Sequence, residues 1–352
     1  MSTAPPVGFL HWRSRVFGVV GLLVLLLAVV IVAAAFGSVR IPFLTTSNIL
    51  ISRLPLVEMT PTWSVALETI VVDIRLPRVI LAGLVGAALA AAGATYQGLF
   101  RNPLADPYLI GVAQGAALGA VAGFLLPPAW HDIGFGIIPL LAFCGALAST
   151  AVVYGLARVG KTLPVTTLIL AGVALGALLA SIVSYLIISS GEEIHGIMFW
   201  LMGSFALSQW SETTAVLPFV LLGVVIILLY ARPLNLMQLD EEQAQQLGIN
   251  VERLKLVLLA AATLITAAAV SFVGIIGFVG IIVPHAVRLV WGADHRFLLP
   301  LSVLTGAIFM IIVDLIARTA LAPTEIPIGV ITAICGAPFF LYLLRRRRKM
   351  IF

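Results

Sequence analysis

Residues Gly155 to Thr162 read GLARVGKT, which fits the phosphate-cradling pattern GxxxxGK[ST] letter for letter. In that chemistry backbone N–H groups wrap a nucleotide's phosphates, the lysine reaches the outer ones and the hydroxyl meets magnesium. A second stretch, MIIVD ending at Asp314, resembles the apolar strand and aspartate that would hold the metal. The surroundings argue against a nucleotide site. A phosphate loop needs a strand before it and a helix opening immediately after it, whereas a long apolar helical run enters Gly155 and Pro164 follows closely. Lys161 and Asp314 also fall at opposite ends of their apolar spans, with most of a roughly 30 Å hydrocarbon layer between them. Both matches are read as look-alikes, and the energy source is expected in another chain.

Few other groups could do chemistry. Asp314 has a natural partner in Arg318 four residues on, and an ion pair inside an apolar span serves either structure or substrate. His285 and Arg288 close another span; a histidine with no second one at ligand spacing reads as hydrogen-bonded structure. Gln97 and Gln114 read as interhelical hydrogen-bonding groups. Cys144 and Cys335 lie in separate apolar segments without CxxC spacing and read as packing residues. Neither a Ser-His-Asp arrangement nor a carboxylate pair is present, so no catalytic residue, metal site or cofactor is expected in this chain, and it is not expected to be an enzyme.

The elements that must position these groups lie in a membrane. Of 352 residues, 61% are hydrophobic and 10% charged, against about 25% charged in a soluble domain. A window of about 19 residues yields ten apolar spans, near 16 to 36, 76 to 99, 107 to 126, 135 to 157, 165 to 189, 213 to 230, 252 to 273, 275 to 292, 298 to 320 and 326 to 344. The first could be a signal peptide cleaved near Ala33, Ala34 and Ala35, but its apolar run of about 20 residues exceeds the usual 7 to 15, so a retained helix is expected. The net charge of +5 is not a nucleic-acid signal, because much of it sits in Arg345 to Lys349 directly after the last span. Ten crossings with the N-terminus inside put Arg13, Arg15, Arg101, Arg158, Lys161, Arg232, Arg253, Lys255, Arg288, Arg296 and that cluster in the cytoplasm. Only Arg40, Arg53, Arg75, Arg78 and Arg318 remain outside, which obeys the positive-inside rule.

One hydrophilic run interrupts the apolar chain, DEEQAQQLGINVERLK at 240 to 255. Asp240 can cap a short helix with Gln243 completing a capping box, Gly248 supplies a left-handed stop, and Asn250 can cap the helix that runs into the seventh span. The run is either a solvated connector or a docking knob for a cytoplasmic partner. Gly111, Gly115, Gly119 and Gly123, and again Gly172 and Gly176, recur every four residues and let helix backbones approach. Gly274, Gly277, Gly280 and Pro284 permit irregular backbone where a cavity is lined. Residues 87 to 107 and 265 to 285 echo each other faintly, as the halves of transporters do.

The blocks RLPRVILAGLVGAALAAAGATYQGLFRNPLADPYLIG (75 to 111), LILAGVALGALL (168 to 179), GFVGIIVPHAVRLVWGADHRFLLP (277 to 300) and EIPIGVITAICGAPFFLYLL (325 to 344) resemble the signatures of permease subunits of ABC importers for iron-siderophore complexes, haem and cobalamin. The likeness covers nearly everything after residue 65. It implies an all-α polytopic membrane protein of about ten transmembrane helices with short cytoplasmic coupling helices, in one domain spanning 1–352. Its parts would be an N-terminal helix and outer loop to 60, a first half 65–230, coupling helices 231–251, a second half 252–344 and a basic tail 345–352. It also implies a second permease copy, forming a homodimer in the cell's inner membrane lipid, two ATPase subunits that bind ATP and Mg, and an extracytoplasmic substrate-binding protein.

By that resemblance Asp240, Glu241, Glu242, Gln243, Gln246, Leu247, Gly248, Asn250 and Arg253 would meet the ATPase, and Arg75, Arg78 and Arg318 would receive acidic residues of the binding protein. Arg318 then has two claims on it, from Asp314 and from that partner. Charge reversal at Arg75 and Arg78 is expected to abolish docking and leave folding intact. Val165 and Thr166 stand where the family has its cytoplasmic gate, and Ser181, Ser184 and Tyr185 are candidates to face a path lined by the fifth, eighth and tenth spans. The expected cargo is an iron(III)-siderophore, with cobalamin and haem as alternatives. The rival from another class is a secondary transporter or channel without an ATPase, against which stands the missing chain of membrane carboxylates.

Overall fold

Apolar residues set around Ala and Gly become helix along almost the whole chain. The computed structural model describes residues 7–348 apart from 38, 54–56, 58, 128, 129 and 131–135, with side chains described between Val16 and Leu341. The side chains of Arg13, Arg15 and the 345–348 basic run, and all of Lys349, lie outside the described residues. The helices are α1 (Val7–Ala35), α2 (Phe43–Ser52), α3 (Val65–Thr69), α4 (Leu76–Leu99), α5 (Val112–Phe124), α6 (Ile137–Ala157), α7 (Val165–Ile188), α8 (Ile194–Leu201), α9 (Trp210–Leu229), α10 (Ala231–Leu236), α11 (Glu241–Gln246), α12 (Val251–Val273), α13 (Val279–Trp291), α14 (His295–Thr319) and α15 (Ile328–Arg348). A wide π turn, Ile70–Arg75, joins α3 to α4. Every expected span contains one of these helices, and seven helical segments are individually long and apolar enough to cross a membrane. The chain is a multi-pass membrane protein. Helices α2, α8 and α10 are too short for a 19-residue window to register.

Two of the crossings are broken. Helices α5 and α13 have 13 residues each, so each rises only about 20 Å, short of a hydrocarbon layer of about 30 Å. Irregular chain completes both, and its polar backbone groups need partners inside the protein. Tyr108, before α5, donates its hydroxyl to Ile276 O at 2.9 Å and accepts from Ile276 N at 3.3 Å. Ser204 N donates to Val273 O at 2.8 Å, and Ile328 N and Gly329 N at the start of α15 donate to Gly203 O and Met202 O at 2.9 Å. Phe278 closes the second break at φ +70, a left-handed conformation costly for a bulky residue. The breaks meet each other at Tyr108 and Ile276.

Helix α4 runs through the centre, buried along most of its length. Small residues put it there, since without a hydrophobic drive in lipid close backbone approach must hold helices together. A Cβ on Gly86 would overlap Gly306 O of α14, and one on Gly93 would overlap Gly280 O of α13. The same logic joins α5 to α6, where Gly115 and Gly119 face the Gly145 and Leu141 carbonyls, and seats Gly172 of α7 on Leu109. Gly93→Val is therefore expected to push α13 off α4, strain the bond from Gln97 Nε2 to Gly280 O at 3.1 Å and destabilise by about 1–3 kcal/mol. Thermal unfolding in detergent checks this against Gly277→Ala, where a Cβ meets nothing within 4 Å and no change is expected.

Candidate functional site

The bundle has two unlike ends. One carries Arg101, Lys161, Arg232 and Arg253 and is called the basic end; the other carries Arg75, Arg78 and Arg318. At the basic end α10 and α11 form a knob. Asn235 of α10 donates from Nδ2 to Asp294 Oδ1 at 2.7 Å and accepts from His295 N at 2.8 Å, which fastens α10 to the start of α14. The hydrogen bonds from Arg296 to Asp294 hold that carboxyl well below the usual carboxylate range. Asp240 caps α11, accepting from Glu241 N at 2.8 Å rather than from the Gln243 amide that a capping box would use. Gly248 stops the helix at φ +86 and Asn250 caps α12 through Arg253 N at 3.0 Å, both as expected. Asp240, Glu242, Gln243, Gln246, Leu247, Gly248, Asn250 and Arg253 are exposed on this knob.

Glu241, expected with that set, is only partly exposed. It turns inward to Lys255, Nζ to Oε2 at 2.8 Å. Lys255 is 3% exposed, and a cation so placed needs several acceptors. It finds Glu252 Oε1 at 3.4 Å and the Leu163 carbonyl oxygen at 3.1 Å as well. Leu163 N in turn donates to Glu252 Oε2 at 2.8 Å. Lys255 thus ties α11 and α12 to the loop that leads into α7. On the other flank Arg101 donates to Leu239 O and Asp240 Oδ1 at 3.2 Å, and Gln238 donates to Gly98 O at 2.8 Å, which ties the knob to the end of α4. The sequence reading did not single out Lys255 or Glu252 as a site. Their three-residue spacing on one helix was a usable signal, whereas Leu163 lies 92 residues from Lys255 and left none.

Two residues after Leu163 stand the expected gate residues, Val165 half-buried at the first turn of α7 and Thr166 exposed. Leu170, Val173, Ala177, Ser181 and Ser184 continue from Thr166 along one exposed face, with Tyr185 beside them. The serine hydroxyls donate back to Ala177 O and Ala180 O at 2.9 Å, so this face offers few free polar groups. The Gln114 side chain packs near Gly176 and makes no side-chain hydrogen bond among the described residues, contrary to expectation. From the eighth and tenth spans, Phe278 places its ring against Gly336 of α15. The phosphate-loop look-alike forms a tight turn in which Val159 and Thr162 exchange backbone bonds of 3.0 Å around Gly160 at φ +61.

At the opposite end the three arginines expected to face a partner are nearly buried within the single chain, where each has internal partners. Arg75, Arg78 and Arg318 are 5%, 8% and 8% exposed. Arg75 Nη1 donates to Ala34 O and Ala35 O at 2.8 Å, Arg75 Nη2 to Val39 O, and Arg318 Nη2 to Ala33 O. The last carbonyls of a helix lack partners and carry its negative pole, so two guanidinium groups seat the end of α1. Arg78 donates from Nε to Asp314 Oδ1 at 2.9 Å and grips Glu325 with both Nη groups at 2.8 and 2.9 Å. Arg318 Nε stands 3.4 Å from Asp314 Oδ2, an ion pair within the chain. Charge reversal at Arg75 and Arg78 would set carboxylates against carbonyl oxygens and other carboxylates, so it would not leave folding intact. Glu325 left no local signal, because Arg78 lies 247 residues away.

A family model described as the FecCD transport family matches residues 25–346. The chain is 51% identical over 280 residues to the cobalamin import system permease protein BtuC of Halobacterium salinarum, covering 80% of this chain and 74% of that protein. It is 41% identical over 337 residues to the hemin transport system permease protein HmuU of Yersinia pestis, covering 93% and 95%. Among solved structures, an inward-facing metal-chelate type ABC transporter superposes with a TM-score of 0.79 at 33% identity, covering 93% of this chain and 98% of that one. The matching signatures, the helical membrane architecture and this superposition agree, and the chain belongs to the FecCD transport family.

Proposed function

We propose that two copies of this chain form a homodimeric permease that moves a bulky metal chelate into the cell. Two separate cytoplasmic subunits hydrolyse ATP with bound Mg to drive it, and a soluble extracytoplasmic protein delivers the cargo. The knob carries this reading. Its exposed residues have no covering element among the described residues, yet it is fastened on one flank to α4 through Arg101 and on the other to the gate loop through Lys255. A solvated connector needs no such anchorage, whereas a part that receives force does. The basic end is then cytoplasmic, as the charge distribution requires, and both termini lie on that side of the inner membrane.

Cobalamin is the leading cargo, because the 51% identical relative is named for it. Haem and other iron(III) chelates, siderophores included, form the second reading, favoured by the relative named for hemin that matches over nearly its whole length. The smooth α7 face suits any of them, since a wall that passes a bulky chelate must not hold it. Asp314, enclosed by arginines, is poorly placed to carry protons or sodium for a secondary transporter.

The test is purification of the tagged chain under mild crosslinking, followed by uptake into liposomes. An ATPase at equal stoichiometry and uptake of cobalamin that requires ATP are expected. Chain recovered alone, with uptake that ignores ATP, would sink the proposal; ATP-dependent uptake of a ferric chelate instead would select the second reading. Within the same assay Thr166→Trp is expected to slow import at least about tenfold, a barrier increase of about 1.4 kcal/mol, with the ATPase still bound. Loss of the ATPase from the purified complex would show that the loop is structural rather than a gate.

A further inference from the structure

The Gly155–Thr162 motif has no nucleotide to hold, yet it puts two cations beside a cavity. An apolar cavity of about 580 Å3 opens between α6, α9 and α12, lined by Leu147, Tyr154, Ile226, Leu256, Ala260 and Leu264 among others. A polar recess of about 270 Å3 adjoins it at the basic end and shares Tyr154 and Leu256 with it. Arg158, Lys161 and Arg253 line that recess, and none of the three makes an ion pair among the described residues. The one carboxylate there, Glu252, is already taken by Leu163 N and Lys255. Three cations without an ion pair among the described residues therefore ring the mouth of an apolar slot, with Arg158 Nε donating to Gly160 O at 3.1 Å.

We infer that this composite site holds one anionic phospholipid from the leaflet at the basic end, with an acyl chain in the slot and the phosphate among Arg158, Lys161 and Arg253. Depth fits this occupant. Residues 256 to 264 lie between five and thirteen residues along α12 from Val251, or roughly 8 to 20 Å at 1.5 Å per residue, which matches one leaflet of a layer about 30 Å thick. Basic recesses between membrane helices select anionic headgroups. A second apolar cavity of about 530 Å3, lined by Pro139, Leu140, Phe143 and Phe219 among others, has no charged residue in its lining and serves as an internal control. The lipid would also brace the turn that carries Leu163 into the gate. The inference is independent of cargo, and its test uses the chain without the ATPase, because Arg253 is also among the residues expected to meet that subunit.

The test is native mass spectrometry of the full-length chain released from nanodiscs containing phosphatidylglycerol and phosphatidylcholine of identical acyl chains. One phosphatidylglycerol retained per chain is expected, with a preference of roughly tenfold over phosphatidylcholine. Arg158→Gln with Lys161→Gln is expected to erase the preference, while Arg158→Lys with Lys161→Arg preserves it and guards against misfolding. Ala260→Phe should empty the slot of either lipid, and Ala215→Phe in the control cavity should leave the preference unchanged. Equal retention of the two lipids, or a preference that survives the Gln pair, overturns the inference. Displacement of the lipid by millimolar inorganic phosphate also overturns it, since the site would then hold a free ion.

Discussion

Asp314→Ala is expected to destabilise the protein by about 3–5 kcal/mol. Asp314 is 0% exposed and stands between Arg78 and Arg318, themselves nearly buried. Removing it leaves two buried cations facing each other with one remaining carboxylate, Glu325, that reaches only Arg78. The penalty is the stranded charge rather than the lost bond. Two features keep it high. Arg318 cannot swing to water without giving up Ala33 O, and Arg75 already occupies the neighbouring carbonyls of α1. The damage should therefore spread to the seating of α1 on α4 and α14. Thermal unfolding of detergent-solubilised variants measures it. Asp314→Ala with Arg318→Met should recover part of the loss, because the pair is then removed together and the coupling between the two sites becomes visible. A single variant that melts with the wild type would show that water or lipid headgroups neutralise the arginines.

The legible and illegible parts of this molecule divide along a physical line. Hydropathy depends on composition within a window, so the apolar helices were visible, and Gly248 and Asn250 were visible because caps are local chemistry. The four-residue glycine spacing marked a close-packing face for the same reason, though not that α6 would be its partner. Direction of side chains was another matter. Arg75 and Arg78 look like outward cations by count and position, but the π turn of Ile70–Arg75 and the docking of α1 turn them inward. Glu241 looks like its exposed neighbour Glu242, yet only Glu241 lies opposite Lys255. What decides such cases is a partner far along the chain, and one sequence contains no record of it.

In the transporter proposed above, Lys255→Met is expected to reduce import by at least about tenfold while ATP hydrolysis continues, a barrier increase of about 1.4 kcal/mol. Methionine fills the space of the lysine stem, so the core of α12 stays packed. The three acceptors lose their common donor, and the change exposes what that donor does. Glu241 and Glu252, about a third exposed in their side chains, can rehydrate, so the stability loss is smaller than for Asp314 and is expected near 1–3 kcal/mol. The mechanical consequence is larger than the energetic one. Without the cation, α11 keeps its cap at Asp240 and its exposed face, and can still seat in a partner, but no side chain links it to Leu163 and the first turn of α7. Glu252 alone still holds Leu163 N, from α12 rather than from the knob. Force applied at the knob would then move α11 without moving the gate. Lys255→Arg, which keeps a cation with several donors, should restore part of the import. Unchanged import by Lys255→Met would place the coupling elsewhere, with the Arg101 contact to Asp240 and Leu239 on the α4 flank as the remaining route.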